Sequence, residues 1–162
     1  MFGPPEKCYY RSVSDHPALL VKKHGRGAVA CFPWDIGSHY AQQCHQGHAS
    51  LVMGAIDSVL GLDRRLRVTT SPLVEVTHRL GQDGRFEWVA LFNHSGQQGK
   101  ALHHPIPIRD IAIDLKPQKQ VKAVRLLRAG STLTFSPRQD GRVSITVPQL
   151  DHYEIALFEY AE

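Results

Sequence analysis

The stretch Val74–Asn93, VEVTHRLGQDGRFEWVALFN, decides the fold. Val74, Val76 and His78 alternate with Glu75, Thr77 and Arg79, the period of a strand with one buried face. Gly81-Gln82-Asp83-Gly84 breaks that run, and Asp-Gly is a strong hairpin signal. Phe86–Asn93 then resumes as a second strand rich in aromatic and β-branched residues. The same grammar runs through the rest of the chain. Val68–Thr70, Ile108–Leu115, Val121–Leu127, Leu133–Ser136, Val143–Pro148 and Tyr153–Tyr160 are short apolar runs. Turn signals part them at Ser95-Gly96, Lys116-Pro117, Ala129-Gly130-Ser131 and Gln139-Asp140-Gly141. Alternation is clear in IRDIAIDL and RVSITV. So many one-faced strands in about 95 residues predict a C-terminal antiparallel β-sandwich.

The N-terminal part reads differently. In His24–Tyr40, HGRGAVACFPWDIGSHY, Gly25 and Gly27 supply a turn and Ala28–Phe32 reads as a short buried strand that Pro33 ends. A strand that stops on an aromatic and a carboxylate, then loops toward a helix, is the pattern of an open α/β sheet edge. Cys8–Val13 and Ala18–Lys22 are shorter β-like stretches. Gln46–Leu60 carries Leu51, Val52, Ala55, Ile56, Val59 and Leu60 on one broad helical face, and Gly61 is the expected stop. It is the one main helix predicted. The fold class is therefore mainly β with a small, partial α/β part, divided as 1–64 and 65–162.

Composition narrows the function classes. Of 162 residues 42% are hydrophobic and 21% charged, which is a globular balance. The net charge of +4 comes from scattered Lys and Arg with no aromatic interleaving or finger pattern, so no nucleic-acid partner is expected. No apolar run reaches the length of a membrane span, and no basic segment leads into an apolar one at the start. No membrane partner is expected. Cys8, Cys31 and Cys44 lack framework spacing, and Cys31 reads as a buried thiol. A reducing, cytoplasmic location is the expectation.

The residues offer three candidate chemistries. His39, Cys44, His45 and His48 cluster within ten positions, but the cluster has neither C-x-x-C nor H-x-x-x-H spacing, so surface imidazoles are preferred and no metal or other cofactor is expected. Asn93-His94-Ser95-Gly96 sets a histidine beside a serine, yet neighbours on an extended chain point apart, and a polar turn fits better. Trp34-Asp35 resembles a sugar subsite, an aromatic face beside a hydroxyl acceptor. The preferred reading packs Trp34 on the helix and has Asp35 capping a turn. Neither a Walker motif nor a G-x-G-x-x-G occurs.

Taken in order, FGPPEKCYY, SDHPALLVKKHGRGAVACFPWDIGSHY, LFNHSG, HHPIPIRDIAIDL and VPQLDHYEIALFE resemble the C-terminal third of large bacterial glycoside hydrolases of the family-42 β-galactosidase architecture. That architecture joins a catalytic barrel, an amidotransferase-like α/β domain (the trimerisation domain) and a small β-sandwich. The resemblance implies that residues 1–64 match the end of the α/β domain and 65–162 the sandwich. The barrel, which carries the catalytic carboxylates, would then lie outside this chain. A noncatalytic assembly or accessory role in carbohydrate metabolism follows, with no catalytic residue and no glycoside turnover by the chain alone. Trp34, Asp35, His39 and Tyr40 are the ligand-binding candidates, on a loop placed to reach a neighbouring active site. The expected partners are further copies of the chain, a separately encoded catalytic barrel, and carbohydrate. The alternative is an independent carbohydrate-binding sandwich whose stacking residues would be Trp34, Trp88 and Tyr153, with Trp88 read as core.

Overall fold

The computed structural model describes residues 14–60 and 64–161. The chain divides into two compact units, Met1–Arg64 and Arg65–Glu162. The predicted strand at Cys8–Val13 and the stop at Gly61 lie outside the described residues.

In the first unit, β1 (Leu20–His24) and β2 (Gly27–Cys31) form a two-stranded antiparallel sheet in which His24 pairs with Gly27. The two-residue connection starts at Gly25, whose φ of 56° meets the demand of a tight hairpin for a positive φ. This hairpin corrects the buried strand expected at 28–32. One face alone of β2 meets a helix, so Ala28 and Ala30 are half-buried while Val29 and Cys31 face outward. The Cys31 thiol is thus exposed, not buried. Two helices follow, α1 (Ile36–Gln43) and α2 (Gln46–Leu60), where one was expected. Only Ile36 of α1 is buried, so that helix carries little apolar periodicity to read.

The second unit is a β-sandwich. Its strands are β3 (Leu66–Thr69), β4 (Val74–Leu80), β5 (Phe86–Asn93), β6 (Gln97–Gln98), β7 (Ala101–Leu102), β8 (Ile108–Leu115), β9 (Val121–Leu126), β10 (Ser131–Leu133), β11 (Ser136–Pro137), β12 (Val143–Leu150) and β13 (Tyr153–Tyr160). One sheet has the order β10-β9-β13-β5-β4, the other β11-β12-β8-β3, and β6 with β7 makes a small ribbon. Every pairing is antiparallel. Val89, Leu91, Val124, Ala156 and Phe158 of the first sheet meet Ile111, Ile113, Leu115, Ile145 and Val147 of the second in a single core. The fold is the mainly β class with a C-terminal sandwich that the alternation predicts.

The alternation breaks where β8 meets β12. Ile111, Ile113 and Leu115 point inward, but the next buried residue on the partner strand after Val147 is Leu150, not Gln149. Asp110 lies at the break with a φ of 55°, level with Pro148, which has no N–H to offer the ladder. Both strands change face there. A short polar residue tolerates that conformation best after glycine, which suits Asp at the position.

Candidate functional site

Around the predicted loop the structure builds a ring cluster. Pro33 follows β2, and Asp35 sits at the N-cap of α1, its carboxylate accepting from the Ser38 N–H at 3.2 Å. Bonds from the Ser38 side chain and then its amide, with a smaller contribution from nearby His39, hold the Asp35 carboxyl below its ordinary range. The Trp34 indole N–H donates to the Ala18 carbonyl at 2.8 Å. Its ring lies 5.9 Å from His39 and 5.7 Å from His48, and those two imidazoles are 6.0 Å apart. Phe32 closes on the indole edge-on at 6.3 Å. Of the sequence candidates, then, Trp34 and His39 come together, Asp35 turns to the helix end, and Tyr40 is exposed on α1.

His45 opens α2 in the same spirit. Its Nδ1 accepts from the Gly47 N–H at 3.1 Å, and its ring lies 5.4 Å from His48. His48 Nδ1 is buried with no hydrogen-bond partner. Among the described residues no group of His, Cys, Asp or Glu is arranged to hold a metal ion.

In the sandwich the Asn93–Gly96 segment is a backbone-bonding turn. Asn93 Oδ1 accepts from the Ser95 N–H at 3.0 Å, while its amide donates to the carbonyls of Ile106 (2.8 Å) and Asp151 (2.7 Å). The His94 imidazole faces Glu75 at 3.0 Å instead of the serine. The Ser95 hydroxyl accepts from the Ile106 N–H at 2.8 Å.

Sequence reading missed two buried carboxylates. Glu87, fully enclosed, shares the inward face of β5 with Val89 and Leu91. It takes His78 Nε2 at 2.7 Å, Arg65 Nη2 at 3.0 Å, the Gln118 N–H at 3.2 Å and the Tyr160 hydroxyl. Burial first, then the bond to Glu87, pushes the Tyr160 phenol up to about 12. At the other end of β13, Glu154 accepts from the N–H groups of Arg128 (2.8 Å), Ala129 (2.9 Å) and Ile155 (2.7 Å). Each carboxylate is satisfied, as a charge removed from water must be. The signal was present in FEWVALF and YEIALF, where each Glu occupies the parity of the core residues.

Trp88 was expected in the core, but it points to the opposite face of β5 and is half-buried. On that outward face Phe92 and Tyr153 pair across strands, their rings stacked with centroids 6.1 Å apart and each about two-fifths exposed. The Arg128 guanidinium lies 5.1 Å from the centre of the Tyr153 ring.

No family model matches the sequence, and no curated protein matches it. Among solved structures the chain is similar to alpha-L-fucosidase isoenzyme 2 from Paenibacillus thiaminolyticus, with a TM-score of 0.75 and 21% sequence identity. The likeness covers 99% of this chain and 26% of that one, so the chain spans about a quarter of the fucosidase's length. At that identity what is shared is the fold.

Proposed function

We propose that the chain is a noncatalytic assembly or accessory region of a glycoside hydrolase, equivalent to the end of an amidotransferase-like trimerisation domain plus the C-terminal sandwich of the family-42 β-galactosidase architecture. The observation that carries this reading is the extent of the likeness: 99% of the chain, both units included, is similar to a quarter of a larger fucosidase. The carboxylates agree with it. Glycoside cleavage commonly uses two carboxyl groups about 5 to 10 Å apart across the scissile bond. Glu87 and Glu154 are occupied by internal donors, and Asp35 by the end of α1. In this reading Trp34 and Asp35 before α1, with His39 and Tyr40 on the helix and not on the loop expected for them, meet a neighbouring active site and form no site of their own.

Assembly has a surface to use in the first unit. An apolar groove of about 480 Å³ runs between β2 and α2, lined by Ala28, Val29, Phe32, Val52, Ile56 and Val59. Leu20 and Val21 of β1 are half exposed beside a strand edge that no strand among the described residues pairs with. A second copy of the chain is the proposed occupant, since a two-fold contact is the commonest way to cover such a face. Two measurements test the reading. Release of nitrophenol from aryl α-L-fucosides and β-galactosides should stay at background, and sedimentation at micromolar concentration should show a species larger than a monomer. Turnover lost on Asp35→Asn would refute the noncatalytic reading, and a monomer would refute self-association.

The stacked Phe92–Tyr153 pair favours a second reading, a sandwich that binds carbohydrate on its outward face.

A further inference from the structure

The outward face of the five-stranded sheet ends in a pocket of about 720 Å³, within the range of small-ligand sites. Its floor is apolar. Phe86 and Leu157 line it from the outward parity of β5 and β13, beside Trp88, which pairs with Leu157. The turn before β5 holds the Phe86 ring in place: a Cβ on Gly81 would come within 2.8 Å of that ring, so glycine lets the ring lie against the backbone.

The rim is charged and the charges do not cancel. Asp83 and Glu159 line the pocket, but each is already matched, Asp83 by Arg85 Nε at 2.7 Å and Glu159 by Arg125 Nε at 3.2 Å. Lys119 and Lys122 remain. The Lys119 ammonium donates to the neutral Gly84 carbonyl at 2.9 Å and lies 6.0 Å from the centre of the Tyr160 ring, with no carboxylate paired to it among the described residues. Lys122 is exposed and makes no ion pair among the described residues. Two ammonium groups above an aromatic and aliphatic floor ask for a ligand with an apolar face and a compact anion at its edge.

We infer that this pocket binds an anionic saccharide, a pyranose bearing a carboxylate or sulfate, with its C–H face on Phe86 and its anion between Lys119 and Lys122. The choice of a saccharide over other anions rests on the carbohydrate reading of the sandwich; the site itself rests on the pocket and its charge surplus. The position is distinct from the Phe92–Tyr153 end of the same face, which carries Arg128 instead of a lysine pair.

Calorimetric titration of the full chain tests it, with methyl glucuronide and glucose 6-sulfate as probes, methyl glucoside as the neutral control, and a glutamate hexapeptide as the acidic control. Both anionic sugars should bind at least about tenfold more tightly than the glucoside, and the advantage should shrink in 0.5 M salt as charge is screened. Lys122→Gln combined with Lys119→Gln should remove that tenfold preference while the melting temperature of the exposed-site variant stays within about 2 °C of the parent. Equal binding of glucuronide and glucoside, or no binding by protein shown to be folded, would overturn the proposal. So would tighter binding of the hexapeptide, which would mark a protein contact, or equal competition by inorganic sulfate, which would leave a bare anion site. None of these results bears on the assembly reading, which sedimentation and nitrophenol release decide separately.

Discussion

Replacing Tyr160 by Phe removes one hydroxyl and keeps the ring in the core, so it isolates the bond that closes one end of the sandwich. Tyr160 ends β13 on its inward face, and its hydroxyl reaches the fully buried Glu87 carboxylate. The same hydroxyl accepts from the Gln118 N–H at 3.1 Å, but that N–H also has Glu87 Oε1 at 3.2 Å and is not orphaned by the change. What is lost is one hydrogen bond to an ionised group, about 1.5–3 kcal/mol. In a domain of roughly 100 residues, 1 kcal/mol moves the melting temperature by about 4–8 °C, so a fall near 10 °C is expected. Calorimetry on the full chain reads it through the sandwich transition. Glu87→Gln supplies the second edge of a double-mutant cycle, and the two changes should couple by at least about 1 kcal/mol because the groups touch. A drop under about 2 °C, or strict additivity, would refute the claim that this bond matters to the fold.

Alkaline stability follows from the same residue. The folded-state value of Tyr160 stands above the unfolded one, at about 12 against 10, so its contribution is complete below pH 10 and is lost as pH rises toward 12. Melting curves between those limits should flatten in Tyr160→Phe. Gly96→Ala should destabilise by about 1–3 kcal/mol, because a Cβ there would meet the His103 carbonyl oxygen at 2.3 Å and backbone cannot swing away; an unchanged melting temperature would show that the loop can shift. Ile56→Asp, at a two-fifths exposed position in the groove of the first unit, should convert an associated chain to monomers on sedimentation without loss of the sandwich transition. Persistence of the larger species would move the contact elsewhere.

The sandwich was legible because its strands obey a period of two and its turns are chemically marked. Gly84 and Gly141 take positive φ values of 64° and 77° where Asp-Gly was read as a turn. The first unit was less legible for a physical reason. IGSHYAQQ has one buried residue, and what starts the helix is a single carboxylate, Asp35, bonding one amide. Cys31 sits among apolar neighbours in sequence, yet with one helix to pack on, half of its strand must face out. At the candidate site, residue type grouped His39 with Trp34 and, separately, with His48, while the contact of Trp34 with His48 came from the turn of α2 that faces them. No spacing rule predicts that contact.

Glu87, Trp88 and Leu157 together say what kind of sandwich this is. A sheet with one solvated face keeps polar residues on its outward parity. Here the two central strands place Phe86, Trp88, Ala90 and Phe92, with Tyr153, Ile155 and Leu157, on the face away from the core. That is why alternation in FEWVALF could not be assigned to a side: both parities are apolar, and the one inward exception is Glu87. The inward face holds a carboxylate only where several donors converge, four on Glu87 and three on Glu154. The outward face has no such enclosure, and its apolar residues other than the small Ala90 are left half-buried or exposed. Burial of that face is therefore free energy still to be gained, at about 25 cal/mol per Å² of apolar surface covered. A ligand on the lysine-rimmed pocket would collect a small part of it. A change of Trp88→Ala should accordingly cost stability less than Val89→Ala despite the larger side chain, since only Val89 is fully enclosed. The reverse order, measured by denaturant unfolding, would mean that Trp88 is already packed as core.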